Sequence, residues 1–122
     1  MQDRGQRLVH SRTGRVLADQ LLMPRTFVGR GIGLMFRRTL RQGMGMWIVP
    51  CNGIHTFGMR FPIDVVFLDR HLRVVRVCAG LRPWRVVPIV RSAHSALELP
   101  PGSLLGLGLE TGETLSLVKA PS

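Results

Sequence analysis

Cysteine is scarce in this sequence, and its spacing does not match the common cysteine motifs. The chain has two cysteines, Cys51 and Cys78, which lie too far apart for a C-x-x-C redox motif or for half of a zinc site. We expect two reduced, buried thiols that pack as small apolar side chains, with a disulfide or a metal-binding role as the less favoured alternative. Neither a metal nor another cofactor is expected.

Long apolar stretches are also missing. No run of about 18 uninterrupted apolar residues occurs, so no helix is expected to cross a bilayer. The first residues are charged, and His10, Ser11 and Arg12 interrupt the apolar residues that follow them, which is untypical of a secretory signal. These two features favour a cytoplasmic protein.

Acidic residues are few, and lysine is almost absent. Seven acidic residues stand against seventeen basic ones, sixteen arginines and one lysine, which gives a formal net charge of +10. Such an excess attracts polyanions such as nucleic acid, acidic proteins or anionic lipid headgroups. The alternative without a binding role is that the arginine excess reflects coding bias and that the arginines form solvated faces around the domain.

The residues that are present favour a mainly β fold of the α+β class. With 122 residues, 45% of them apolar, the chain can bury a core as one domain. We expect an N-terminal hairpin over about residues 7–21, a short helix over about 26–36 and a β core over about 44–118. About six or seven mostly antiparallel strands with one or two short helices would close as a small barrel or sandwich.

Three segments carry the more specific predictions. Residues 63–69 are rich in branched and aromatic side chains and read as the clearest strand, with residues 72–78 as its antiparallel partner. Arg73 and Arg76 in that partner cannot share a face, so either a bulge intervenes or one arginine points inward. Residues 103–107 look like one helical turn.

Several landmarks recur in a fixed order along the chain: residues 33–37, 45–46, 55–69, 97–100 and Gly102. In these stretches the chain resembles a family of small prokaryotic proteins known as domain of unknown function 192. The resemblance spreads over most of the chain and implies a compact β-rich fold, but no reaction, because the family has no settled activity. Gly58 and Phe61 stand where the common form of the central motif has Trp and Asn, so a ligand shared by all members is not implied.

The central block contains polar residues among apolar ones. A buried carboxylate such as Asp64 needs a cation or several N–H donors, and Arg60, four residues earlier, is the obvious cation. This pair could simply pin a loop to the sheet. Alternatively, Arg60, His55 and Arg37 could line a pocket in which guanidinium groups grip a carboxylate or phosphate. The candidate ligand-binding residues are His55, Thr56, Arg60, Asp64, Glu98 and Arg37.

Two other functions are weighed against this binding site. Trp84 between Arg82 and Arg85 is the one place where a stacking residue lies among cations, as in nucleic-acid-binding proteins. The alternative for Trp84 is a side chain that caps a sheet edge between solvated arginines. A small hydrolase or metal-dependent enzyme could combine His55, His94, Asp64 and Glu98, although no ligand spacing supports it and no catalytic residue is assigned.

The sequence therefore favours a non-enzymatic binding or accessory module that recognises a small anionic ligand or an acidic partner. Nucleic-acid binding through the arginine-rich surface ranks second, and an enzyme of unknown substrate ranks third. Whether Glu98 orients a ligand or faces solvent is left open, because it lies opposite the apolar face of its predicted strand, residues 93–99.

Overall fold

Ten strands occur in the described part of the chain. The structure is a computed structural model that describes residues 5–23 and 40–119. The strands in chain order are β1 Gln6–His10, β2 Val16–Ala18, β3 Gln20–Leu22, β4 Met44–Ile48, β5 Ile54–His55, β6 Ile63–Leu68, β7 Val74–Leu81, β8 Val86–Val87, β9 Ser95–Leu99 and β10 Leu115–Lys119.

The strands form three sheets. The largest has the order β3-β4-β9-β6-β7, a second has the order β10-β1-β2, and β5 pairs with β8. In the described residues β3 and β4 run parallel and the other neighbours run antiparallel. Asp19 separates β2 from β3, and its N–H donates to Gly43 O over 2.6 Å. The chain thus leaves one sheet and enters the next within one residue.

The five-stranded sheet is covered on both faces. All six residues of β6 and all five of β9 are buried, as expected when both sides of a strand meet apolar residues. Ile63, Val65 and Phe67 belong to one apolar cluster, together with Val87 and Val90 from the region of β8. Val66 and Leu68 belong to a second cluster on the opposite face.

The three-stranded sheet packs against that second face. Leu8 of β1 and Leu115 of β10 lie in the same cluster as Leu97 and Leu99 of β9. Gly45 of β4 permits this close approach, because a Cβ at that position would meet the Ala18 Cβ at 2.9 Å. A side chain there would crowd the core.

The β6–β7 hairpin resolves the unusual spacing of its two arginines. Phe67 pairs with Arg76 and Leu68 pairs with Val74, so the register shifts and one extra residue lies in β7. This is a β-bulge, and it lets both Arg73 and Arg76 stay exposed. Of the two alternatives derived from sequence, the bulge is correct.

Other parts of the predicted fold need correction. The mainly β class is confirmed, but ten strands replace six or seven, because strands as short as β5 and β8 leave no periodic pattern to detect. No closed barrel forms, and no helix occurs in residues 5–23 and 40–119. The helix predicted over residues 26–36 lies outside the described residues.

The helical turn predicted at residues 103–107 is instead a series of tight turns. Ser103 N, Leu105 N and Leu107 N each donate to a carbonyl three residues earlier. Gly102 and Gly106 both have positive φ angles, of 85° and 76°, which a right-handed helix does not accommodate. No helix in the described ranges is long and apolar enough to cross a membrane.

Asp64 fastens this series of turns to the sheet. Its side chain is 1% exposed, and it lies on the same face as Leu99, its partner in β9. Oδ1 accepts a hydrogen bond from Gly80 N over 2.8 Å, and Oδ2 accepts one from Leu104 N over 3.0 Å. The predicted ion pair with Arg60 is wrong, because backbone N–H groups from distant parts of the chain solvate the carboxylate.

We predict that Asp64→Asn destabilises the protein more than Asp69→Asn does. Each carboxylate accepts two backbone N–H bonds, but Asp69 lies in a hairpin turn open to water. An asparagine at position 64 leaves one buried donor facing an NH₂ group, a loss of about 1–3 kcal/mol. Urea denaturation of both variants measures the difference. Equal losses would contradict the structural role of Asp64.

Candidate functional site

The sequence-derived candidates do not gather around one cleft. Asp64 faces the three-stranded sheet, whereas Glu98 pairs in register with Met46 and Val65, which belong to the cluster on the other face. Their carboxylates are therefore separated by the sheet itself. Arg37 lies outside the described residues, so its relation to the other candidates stays a prediction.

Glu98 is a buried acid among apolar neighbours. Its residue is 6% exposed, so the expectation that it might simply face solvent is wrong. Burial raises the pKa of its carboxyl group from 4.5 to about 7, because removal from water penalises the charged form. No side-chain hydrogen bond to Glu98 is formed within residues 5–23 and 40–119. Near neutral pH, both the protonated and the ionised forms of the Glu98 carboxyl group are therefore populated.

Thr56 organises the loop that follows β7. It is 1% exposed, and its hydroxyl donates to Arg82 O over 2.7 Å while it accepts from Arg85 N over 2.8 Å. Its backbone N–H donates to Arg85 O over 2.9 Å, and its carbonyl accepts from Trp84 N over 3.0 Å. One buried threonine thus holds both ends of the Arg82–Arg85 loop, which fixes where Trp84 lies.

Three ring side chains meet at this loop, and we call them the aromatic patch: His55, Phe57 and Trp84. The ring centroids of His55 and Phe57 are 5.0 Å apart, and those of Phe57 and Trp84 are 5.8 Å apart with the rings inclined by 27°. These spacings are typical of offset stacking. Phe57 N also donates to His55 Nδ1 over 3.3 Å, which holds the first two rings together.

Trp84 is unusual in both exposure and backbone conformation. It is 65% exposed, although tryptophan is normally highly buried. Its φ angle is 63°, in the left-handed region where a side chain costs roughly 1–2 kcal/mol. The hydrogen bonds of Thr56 offset this cost. The fold therefore displays a tryptophan that contributes little to the core.

Positive charge flanks the aromatic patch. Arg82 and Arg85 lie on either side of Trp84 and are exposed, as is Arg60. No ion pair to these three arginines occurs among the described residues, where the carboxylates of Asp19 and Glu113 instead pair with Arg7 and Arg12. Their charge is therefore available to an external anion.

The structure brings together two candidate groups that the sequence kept apart. His55 and Thr56 came from the proposed anion site, whereas Arg82, Trp84 and Arg85 came from the proposed nucleic-acid site. Sequence reasoning did not select Phe57, although alternation around an inward Thr56 places residues 55 and 57 on one side.

In the described part of the chain, no three His, Cys, Asp or Glu side chains are grouped so that they could hold a metal ion.

Comparison with known proteins reveals relatives without an assigned activity. The family model DUF192, described as Uncharacterized ACR, matches residues 9–117. A UPF0127 protein of Pyrococcus furiosus is 30% identical over 107 residues, covering 84% of this chain and 90% of that protein.

Two crystal structures have a similar fold. A protein of unknown function from Novosphingobium aromaticivorans has a TM-score of 0.77 at 22% identity, over 92% of this chain and 83% of that one. A Sinorhizobium meliloti protein, described as a candidate transcription regulator, has a TM-score of 0.78 at 20% identity, over 94% of each chain. At these identities the likeness shows the fold alone.

We predict that Thr56→Val loosens the Arg82–Arg85 loop. The variant removes the hydroxyl and leaves the Arg85 N–H without that acceptor, at a cost of about 1–3 kcal/mol. Amide hydrogen exchange should accelerate at Arg85, and the urea midpoint should fall. Thr114→Val is the matched control, because the Thr114 hydroxyl makes no hydrogen bond within the described ranges. Unchanged exchange at Arg85 would argue against the role of Thr56.

We predict that Glu98 makes the protein less stable as pH rises. In the unfolded chain the carboxyl group ionises near 4.5, whereas in the folded state it keeps its proton up to about 7. The free energy of unfolding therefore falls by roughly 3 kcal/mol as the pH rises from 4.5 to 7. Urea midpoints of Glu98→Gln should lack this decline. Exposed Glu110 supplies the control, because Glu110→Gln should keep the decline of the urea midpoint with pH. If Glu98→Gln showed the same decline as the native protein, Glu98 would not be its source.

Proposed function

We propose a binding role for this chain, which belongs to the DUF192 family of uncharacterised proteins. The ligand is an anion that also carries a flat, apolar ring, and it binds on the aromatic patch between Arg82 and Arg85. The observation that carries this proposal is Trp84, which is exposed, conformationally strained and held in place by buried Thr56.

The side chains around Trp84 supply two complementary interactions. The ring faces of Phe57 and Trp84 can stack on a flat ligand and remove apolar surface from water. Arg82 and Arg85 add guanidinium groups, which bind carboxylates, sulfonates or phosphates through paired N–H donors. Either interaction alone is weak at an exposed site, so we expect selectivity for ligands that offer both.

The proposal revises the site expected from sequence. Asp64 is removed from it, because each of its carboxylate oxygens already accepts a backbone N–H bond and its side chain lies on the opposite sheet face from Glu98. Thr56 stays in it as a positioning residue that touches the loop and not the ligand. His55 belongs to the patch and remains a candidate for contact, as does exposed Arg60, three residues after Phe57 in the chain.

A titration with three small probes tests this proposal. The probes are 1-naphthalenesulfonate, which has ring and charge, 1-naphthalenemethanol, which has the ring alone, and methanesulfonate, which has the charge alone. We expect amide NMR shifts at Phe57, Trp84 and Arg85, with at least about tenfold tighter binding of the first probe, because stacking on one aromatic side chain contributes about 1–3 kcal/mol. Equal affinities for all three probes would contradict the proposal.

Two variants complete the experiment. Trp84→Asn should abolish the preference for 1-naphthalenesulfonate without lowering the melting temperature, because asparagine tolerates the left-handed conformation better than tryptophan. Arg70→Ala is the control for charge, since Arg70 lies in the turn at the far end of the β6–β7 hairpin, roughly 20 Å from Arg82 along the strands. It should bind all three probes as the native protein does.

A further inference from the structure

We infer that the aromatic patch binds unpaired nucleotides of a single-stranded nucleic acid, an inference that rests on the proposed function and names its ligand class. A nucleotide has the two features that the patch selects, a flat ring and a phosphate. A single strand repeats them along its length, so that several nucleotides can contact one surface at once.

The three rings form one short stack that the bases of a single strand can extend. His55, Phe57 and Trp84 follow one another with centroid separations of 5.0 and 5.8 Å. Phe57 is 42% exposed and Trp84 is 65% exposed, so both rings can be reached from outside. Because Phe57 and Trp84 already stack on each other, a base adds to the outer face of Trp84 and continues the stack. Any base can do so, because every base has a π face.

The charge distribution favours a polyanion at this end of the molecule. Of the described acidic residues, Asp64 and Glu98 are buried. Asp69 lies in the turn at the other end of the β6–β7 hairpin, Glu113 contacts the first residue of β7 through its backbone carbonyl, and Glu110 is hydrogen-bonded to Glu113. Asp19 immediately precedes β3, at the opposite edge of the five-stranded sheet from β7. The Arg82–Arg85 loop follows the last residue of β7. The whole chain also carries a net charge of +10, which draws in phosphates over a distance.

A single strand fits the patch better than a duplex does. In a duplex the base faces are covered by neighbouring pairs, and sequence readers insert a helix or a β-ribbon into a groove. The patch instead presents flat side chains from β5, from the turn after it and from the Arg82–Arg85 loop, and residues 5–23 and 40–119 contain no helix. The carboxylates of an acidic protein can form ion pairs with the arginines, but they carry no flat ring. Such a partner would therefore leave the rings of Phe57 and Trp84 without a stacking partner.

Fluorescence anisotropy with labelled 12-mers tests the inference. The probes are oligothymidylate, an abasic strand with the same number of phosphates, a thymidylate–adenylate duplex, oligouridylate and polyglutamate. Native protein should bind oligothymidylate at least tenfold more tightly than the abasic strand or polyglutamate, and more tightly than the duplex at equal salt. Comparing oligothymidylate with oligouridylate shows whether DNA or RNA is preferred, since the patch can stack both.

The variants separate stacking from charge. Trp84→Asn should lower the affinity for oligothymidylate to that for the abasic strand, and leave the abasic strand unaffected. Replacing both Arg82 and Arg85 with alanine should weaken binding of both strands and flatten the salt dependence. Arg70→Ala should keep the ratio between the two strands.

The outcomes distinguish this inference from the proposed function. If native protein prefers 1-naphthalenesulfonate but binds the abasic strand as tightly as oligothymidylate, the nucleic-acid inference is wrong and the binding site stands. Tighter binding of the duplex would point to groove recognition and also overturn the inference. Polyglutamate that binds as tightly as oligothymidylate would indicate an acidic protein partner. Failure with 1-naphthalenesulfonate and with every 12-mer would refute both.

Discussion

The five-stranded sheet, apolar on both faces, is the constraint on which the remaining structure depends. Every residue of β6 and β9 is buried, so an acidic side chain in either strand is stabilised either by hydrogen-bond donors inside the protein or by keeping its proton. Asp64 keeps its contacts through the N–H groups of Gly80 and Leu104. Glu98 has apolar neighbours in register, and burial raises its carboxyl pKa instead. The two buried acids of this sheet thus differ: Asp64 is hydrogen-bonded by backbone N–H groups, whereas Glu98 has a raised carboxyl pKa.

Because apolar side chains fill both faces of the sheet in the described residues, the proposed binding site lies at its margin. The aromatic patch lies where β7 ends and β8 begins, and the β5–β8 pair supports it by joining His55 to Val86. Gly53 just before β5 allows this pair to lie close, since a Cβ there would meet Val87 O at 3.0 Å. Sheet and patch are therefore connected by backbone contacts, and Thr56 adds the side-chain hydrogen bonds that set the loop.

Sequence patterns predicted the elements whose neighbours are close along the chain. The β6 strand and its antiparallel partner were predictable from branched residues around a short turn, and the odd spacing of Arg73 and Arg76 correctly suggested a bulge. The partners of Asp64 were not predictable, because Gly80 and Leu104 are distant in sequence and donate through backbone atoms that carry no residue signature.

The aromatic patch was only half predictable for the same reason. Trp84 between two arginines was visible as a stacking candidate, but an aromatic such as Phe57 in an apolar segment normally indicates core. Its exposure follows from Thr56 turning inward, and that orientation depends on hydrogen bonds to the Arg82–Arg85 loop.

A comparison of two strained residues separates structure from function in this fold. Leu72 and Trp84 both have positive φ angles, of 61° and 63°. Leu72 lies partly buried against the core cluster beside β10, and its carbonyl accepts from Leu115 N over 2.8 Å, so its conformation contributes to packing. Trp84 is 65% exposed, and its ring stacks on that of Phe57. Folding alone does not require a tryptophan there, since asparagine or glycine would adopt that backbone at lower cost. The exposure and the left-handed backbone of Trp84 are therefore the observations on which the proposed stacking ligand rests.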